Sequence, residues 1–277
     1  MTKMDFSVAM SVYGKDDPVF FDRALSSITD EQTLKPSQIV LVADGPLRAE
    51  LDAVIEKYQK KYGIFKIIRL PENRGLGNAL KLALENADFE LVARMDSDDV
   101  SLPTRFEKQV VYFEKDSAPD VVGGDISEFI GEEKNIVAYR RVPTDPADIR
   151  AYLKKRCPFN HMTVMYKKSA VLSAGGYLDL HFNEDYYLWI RMQLAGATFA
   201  NTGTVLVNVR TGSNLYARRG GKRYFQSEKY LQKFMLEHKM ISSLTYAGNV
   251  TKRWIVQCCL PNRMRGWVFR TFARKQK

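Results

Sequence analysis

Two acids one residue apart, in Asp96-Ser97-Asp98-Asp99, follow directly on the apolar run Leu91–Met95. In an extended segment, residues i and i+2 project to the same side about 7 Å apart, so Asp96 and Asp98 can face one ligand. Hard divalent cations such as Mn²⁺ or Mg²⁺ take oxygen donors and complete a sparse protein site with phosphates and water. The spacing suits a metal-bridged nucleoside diphosphate, with Ser97 between the two acids. The same residues also read as an acidic turn ahead of a helix that begins near Pro103. Asp44 ends a second apolar run, Ile39–Ala43, and Gly45 permits a sharp exit there. Its carboxylate could accept a hydrogen bond from a base or ribose, although Asp-Gly alone is also an ordinary turn. Asn73-Arg74-Gly75 precedes a helical pattern, where an arginine beside a helix N-terminus can hold an anion or a base edge and Asn73 can cap the helix. Glu184-Asp185 opens another helix. Acids there complement the helix dipole, and beside a donor site they could also take a proton from an attacking hydroxyl.

The elements that must position these residues alternate along the first half of the chain. Phe6–Val12, Gln38–Ala43, Phe65–Leu70 and Leu91–Met95 read as buried strands, and the stretches Pro18–Thr29, Leu47–Tyr62 and Leu76–Asn86 between them space apolar residues helically. Alternation of this kind predicts a doubly wound parallel sheet covered by helices on both faces. Ligands bind such sheets beyond the carboxyl ends of the strands. Ser11-Val12-Tyr13, Asp44-Gly45, Asn73-Arg74-Gly75 and Asp96-Ser97-Asp98 occupy those ends and are expected to share one rim. Pro103–Lys115 predicts a further helix. Beyond it, short strands at Val121–Ile130, Val137–Val142, Thr163–Tyr166 and Val205–Arg210 alternate with helices at Asp145–Lys154, Asn183–Leu194 and Tyr224–Lys239. Residues 1–240 read as one folding unit, with a nucleotide-binding half over about 1–115 and an acceptor half over about 116–240. A basic, helical and amphipathic extension follows at 241–277.

The formal charge of +10 is concentrated at that end: residues 252–277 carry eight Lys or Arg and no acid. Trp254, Ile255, Trp267 and Phe269 are interleaved with them, a pattern suited to an anionic membrane surface or to a partner-binding helix. No apolar run approaches the length of a spanning helix and no signal peptide is evident, so a cytoplasmic protein lying against the inner face of the plasma membrane is expected. Cys157, Cys258 and Cys259 read as free thiols. A nucleic-acid-binding protein would explain the basic tail but not acids at strand ends, and no nucleic-acid partner is expected. A sugar-nucleotide nucleotidyltransferase would share the sheet and the metal carboxylates, but its lysine-containing phosphate loop finds only a thin match in Ser11-Val12-Tyr13-Gly14-Lys15.

Taken in order, these stretches resemble the family 2 inverting glycosyltransferases of the GT-A fold, and among them the bacterial polysaccharide enzymes akin to the amylovoran-biosynthesis transferases. The resemblance rests on Ser11-Val12-Tyr13, Val42–Gly45, Asn73–Leu80, the long Ala93–Arg105 and Asn183–Trp189. It implies a GT-A (Rossmann-like) α/β fold with a mostly parallel central sheet flanked by helices. It also implies a UDP-sugar donor, Mn²⁺ or Mg²⁺ as cofactor, and a glycan acceptor carried on a lipid diphosphate. By position, Tyr13 and Asp44 match the nucleobase contacts with Ser11 beside them, and Arg74 matches a nucleotide contact. Asp96 matches the ribose and metal contact, Asp98 the direct metal ligand, and Asp185 the catalytic base with Glu184 as its neighbour. The first motif departs from the family's Pro-Val-Tyr, and no histidine is expected among the metal ligands. His161, in Phe159–Thr163, could face the acceptor or be structural. Arg191, Arg210, Arg218 and Arg219 are expected as contacts to acceptor or diphosphate, the last three on or beside a Gly-rich segment that could instead be a solvated basic loop.

Overall fold

A computed structural model of the chain describes residues 4–180, 182–212, 221–261, 264 and 275–276. The first half winds as β1 (Phe6–Val12), α1 (Pro18–Ile28), β2 (Gln38–Ala43), α2 (Ala49–Lys61), β3 (Phe65–Arg69), α3 (Leu76–Glu85) and β4 (Leu91–Met95). Local chemistry sets several boundaries. Asp17 caps α1 by accepting from the backbone N–H groups of Val19 at 2.8 Å and Phe20 at 3.3 Å, with Pro18 in the first turn. β1, β2 and β4 are buried on both faces, and hence read as unbroken apolar runs.

The order β4-β1-β2-β3 is parallel throughout. The chain therefore winds outward from β1 to β3, then returns through α3 to the other side of β1. That reversal makes the gap between the carboxyl ends of β1 and β4 a topological switch point, where open α/β sheets bind ligands. Register sharpens the placement, since Met10 pairs with Met95 and Val12 with Ala43. One residue further on, Ser11 adjoins Asp96 and Tyr13 adjoins Asp44.

The second half adds β5 (Val100–Ser101), α4 (Arg105–Phe113), β6 (Val121–Phe129), β7 (Ile136–Arg140), α5 (Pro146–Leu153), β8 (Met165–Lys167), α6 (Lys168–Ser173), α7 (Glu184–Leu194), β9 (Phe199–Arg210), α8 (Lys222–Glu237), α9 (Ser243–Trp254) and β10 (Lys275–Gln276). β8 extends the sheet antiparallel to β4, and β6 follows it. β9 runs parallel to β6 while also pairing with β5, which pins the chain just after Asp99. β10 brings the chain back to the sheet edge at β7. One apolar layer, under α1, α2 and α4, holds Phe21, Leu25, Ile55 and Phe106. The opposite layer, under α3, α5 and α7, centres on Trp189, Phe159 and Tyr166. Among the described residues, no helix is long and apolar enough to cross a membrane.

Candidate active site

A cleft of about 720 Å³ opens between the switch point and the face formed by α5, α7 and α9. Asp96 lines it from the β4 side, Glu184 and Asp185 from the start of α7, and His161 and Arg94 from its floor. Carboxylates 88 residues apart in the chain, Asp96 and Glu184, thus line one cavity. The start of α3 approaches that of α7 there: an added Cβ at Gly77 would lie 3.5 Å from Cβ of Glu184.

The loop after β4 is a carboxylate cluster. One oxygen each from Asp96, Asp98 and Asp99 lie within 4.8 Å of one another, a hard-donor set suited to a divalent cation that also takes phosphate oxygens. Each acid is held differently. Asp96 pairs with Nη2 of the buried Arg94 at 2.5 Å. Asp99 is 2% exposed and accepts from the N–H of Arg210 at 2.9 Å. Asp98 stands at the lip, where desolvation by the enclosing loops, then the charges of Asp96 and Asp16, push its pKa up to about 6. Burial, followed by the charges of Asp98 and Asp96, raises that of Asp99 well above the usual range. Crowded, desolvated acids of this kind favour a cation between them.

Asp16 joins the cluster to the first strand. Its Oδ2 accepts from the Ser97 hydroxyl at 2.7 Å and from the Tyr13 N–H at 3.1 Å, fixing the two loops that flank the switch point. Tyr13 is 40% exposed. Asp44 is buried and accepts from the N–H groups of Arg74 at 2.7 Å and Gly75 at 3.0 Å, so it anchors the entry to α3. The Arg74 side chain stays half exposed, 3.5 Å from Glu72. Ser11, Tyr13, Asp44, Arg74, Ser97 and Asp98 therefore gather at the rim beside the cleft, outside its lining.

At the opposite wall, burial and then the charge of Asp185 raise the Glu184 pKa to about 7, and burial raises that of Asp185 as well. Asp185 Oδ1 accepts from the N–H of Tyr186 at 2.6 Å, and the Cys157 thiol donates to Oδ2 at 3.8 Å. A carboxylate held this way, with a raised proton affinity and an open cavity before it, is equipped to act as a general base. His161 is buried, bonded through Nε2 to the Tyr177 hydroxyl at 3.0 Å, and burial followed by the Arg94 charge holds its pKa well below the ordinary value. It is a neutral ring in the cleft floor.

Two expected phosphate or acceptor contacts are otherwise engaged. Arg191 lies outside the cleft lining, donates to the carbonyls of Ala174 at 2.5 Å and Gly176 at 2.7 Å, and stacks on Tyr187. Arg210 is sandwiched against Phe20 and Phe129 and donates to the Asp98 carbonyl at 3.3 Å, which makes it a strut under the acidic loop. Arg218 and Arg219 lie outside the described residues. Sequence reasoning missed Asp16, Asp99 as a third ligand candidate, and Arg94, whose place inside a strand signalled a buried cation and hence a partner.

The profile of the family described as "Glycosyl transferase family 2" matches residues 7–174. An uncharacterized glycosyltransferase of Haemophilus influenzae is 41% identical, over 98% of this chain and 100% of its own. The amylovoran biosynthesis glycosyltransferase AmsE of Erwinia amylovora is 40% identical over 84% and 86%. An Escherichia coli protein named UDP-Gal:alpha-D-GlcNAc-diphosphoundecaprenol beta-1,3-galactosyltransferase is 33% identical over 98% and 97%. Among solved structures, S. aureus TarS 1-349 in complex with UDP-GlcNAc superposes with a TM-score of 0.65 at 17% identity, covering 91% of this chain and 73% of that one. At that identity the likeness is one of fold.

Proposed function

Because the chain belongs to glycosyltransferase family 2, we propose that it is an inverting enzyme moving a sugar from a UDP-sugar to a hydroxyl of a lipid-diphosphate-linked glycan, in bacterial surface polysaccharide assembly. The observation that carries this reading is the shared cleft, with Asp96 on one wall and Glu184-Asp185 on the other. The named relatives that act in amylovoran biosynthesis and on a diphosphoundecaprenol-linked sugar support the acceptor class.

In this reading Tyr13 and Arg74 bind the uridine and its phosphates at the rim, and Asp44 keeps the loop before α3 in place for them. Asp96, Asp98 and Asp99 would hold Mn²⁺ or Mg²⁺, which would supply positive charge to the departing diphosphate. Asp185 accepts the proton of the acceptor hydroxyl as its oxygen bonds to the anomeric carbon. The bond from that carbon to the diphosphate oxygen breaks on the opposite face, and the electron pair leaves with the nucleoside diphosphate. Glu184, beside it, has its own proton affinity raised by burial and then by the Asp185 charge. Phe159, Tyr186 and Val209 add apolar surface to the lining of the cleft.

The protein acts at the cytoplasmic face of the membrane. Leu244, Trp254 and Ile255 are exposed on or just beyond α9, next to Lys252, an arrangement suited to an anionic lipid surface. Salt-sensitive binding to anionic vesicles, lost in a Leu244→Ser/Trp254→Ser variant, is expected.

The deciding assay offers a panel of UDP-, GDP- and dTDP-sugars with Mn²⁺ and a diphosphate-linked sugar acceptor. Transfer with inversion, lost in Asp185→Asn while UDP binding persists, is the expected result. Retention of configuration, or full transfer by Asp185→Asn, would refute the mechanism.

A further inference from the structure

Besides its carboxylates, the cleft carries a cationic stretch of wall. Lys155 and Arg156, just past the end of α5, and Lys252 of α9 all line it. None of the three forms an ion pair among the described residues, whereas the neighbouring Arg253 is neutralised by Glu228 at 2.5 Å.

The backbone beneath them is arranged to leave that charge uncompensated. A helix carboxyl end normally presents carbonyl oxygens that repel an anion. Here the carbonyl of Lys154 accepts from Asn249 Nδ2 at 3.2 Å, and that of Lys155 accepts from Arg253 Nη2 at 2.7 Å. Both donors come from α9, so α9 quenches the negative end of α5 while bringing Lys252 to the same wall. Asn249 is fixed in turn by Gln232 Oε1 at 2.8 Å, and Gln257 by Glu228 at 3.0 Å. The result is a cationic wall on a fixed backbone, in the same cavity that Asp96, Glu184 and Asp185 line.

We infer that Lys155, Arg156 and Lys252 form the subsite for the diphosphate of a polyisoprenyl-linked acceptor, with the lipid leaving past Trp254 and Ile255. This rests on the reading of the acceptor given above. The chemistry is that of charge-assisted contacts from Lys and Arg to phosphate oxygens. Trp254 and Ile255 are 51% and 44% exposed and follow Lys252 within three residues, so an isoprenyl chain leaving the diphosphate meets apolar surface there. The acceptor sugar, one bond beyond the diphosphate, is then directed into the cleft toward Asp185.

The test measures binding of farnesyl diphosphate, farnesol and inorganic pyrophosphate to the full chain by calorimetry, with EDTA present so that the acidic cluster binds no metal-bridged phosphate. Farnesyl diphosphate is expected to bind at least tenfold more tightly than either of the other probes. The Lys155→Ala/Arg156→Ala/Lys252→Ala variant is expected to lose at least tenfold for farnesyl diphosphate, and the charge-preserving Lys155→Arg/Arg156→Lys/Lys252→Arg variant to retain it. An unchanged thermal shift with UDP and Mn²⁺ checks the fold of each variant. Equal binding by the alanine variant and the parent overturns the subsite. Pyrophosphate binding as tight as farnesyl diphosphate overturns the lipid assignment in favour of a free-phosphate site. Failure of the parent to glycosylate any diphosphate-linked acceptor would instead defeat the acceptor reading itself, a separate outcome.

Discussion

Nη2 of Arg94 lies 2.5 Å from Oδ1 of Asp96, the guanidinium buried in β4 and the carboxylate reaching into the cleft. Nε and Nη1 of the same guanidinium have no partner among the described residues. This one cation sits between the two acidic groups of the site. It works against the upward shifts of Asp98 and Asp99 on one side and of Glu184 and Asp185 on the other. A buried charge is tolerated only when paired, so Asp96 has a structural duty besides any catalytic one.

That duty separates two acids that a motif treats alike. Asp96→Asn strips Arg94 of its partner and is expected to destabilise the fold by about 3 kcal/mol, the range for breaking a buried pair. Asp98→Asn removes one of several crowded like charges and is expected to leave stability equal or slightly higher. Urea unfolding of the metal-free proteins reads the difference. Both variants are expected to lose about 100-fold or more in kcat/KM, as for removal of transition-state electrostatic contacts. Equal destabilisation by the two would contradict the assigned role of Arg94.

Glu184 carries a pH signature. Burial, then Asp185, holds its pKa near 7, above the unfolded value. Its contribution to stability is thus complete below about pH 4 and is lost as pH rises through 7. Thermal unfolding is expected to move to lower temperature from pH 5 to pH 8, and Glu184→Gln to flatten that slope. Activity runs the other way: the Asp185 base must be ionised and burial raises its pKa, so kcat/KM for the acceptor is expected to rise with pH beyond the ordinary carboxylate range and then level off. A profile flat across that rise would rule Asp185 out as the base.

The sequence was most legible where one cause acts locally. Asp17-Pro18 and Asp145-Pro146 open helices as their capping chemistry requires, and β2 reads as a strand because both its faces are buried. Legibility fell where distant segments decide. β9 starts at Phe199, six residues before the apolar stretch at Val205 suggests, since β6 pairs with it through the irregular register around Gly123 and Asp125. Arg210 looks like a phosphate ligand in the sequence, yet Phe20 and Phe129, from separate elements, enclose it. Asp16 belongs to none of the sequence patterns, and only the approach of the Ser97 loop shows that it bridges two rims of the site.

The three thiols differ enough to be told apart in solution. Cys258 and Cys259 are exposed, while Cys157 lines the cleft, where burial and then the Asp185 charge raise its pKa. Since the thiolate is the nucleophile, iodoacetamide at pH 8 is expected to modify two thiols quickly and Cys157 at least about tenfold more slowly. Peptide mapping by mass spectrometry assigns the sites.

Asp44 offers the sharpest separation of folding from donor binding. Both its oxygens accept backbone N–H groups of Arg74 and Gly75, so Asp44→Ala frees the entry to α3 and is expected to cost about 1–2 kcal/mol, the scale of a lost helix cap. Asp44→Asn keeps one acceptor oxygen and is expected to recover about half of that. Gly45→Ala attacks the same loop from the other side. Its φ of +91° is strained for an L side chain, and its Cβ would fall 2.7 Å from the Asn73 nitrogen. All three changes displace Arg74, so each is expected to raise the KM for a UDP-sugar by about tenfold or more. The KM for the acceptor, which in the proposed reading does not touch this loop, is expected to stay within about twofold. If Asp44 instead touched only the nucleobase, Asp44→Ala would raise the donor KM with no loss of stability, an outcome that thermal unfolding of the nucleotide-free protein can reveal.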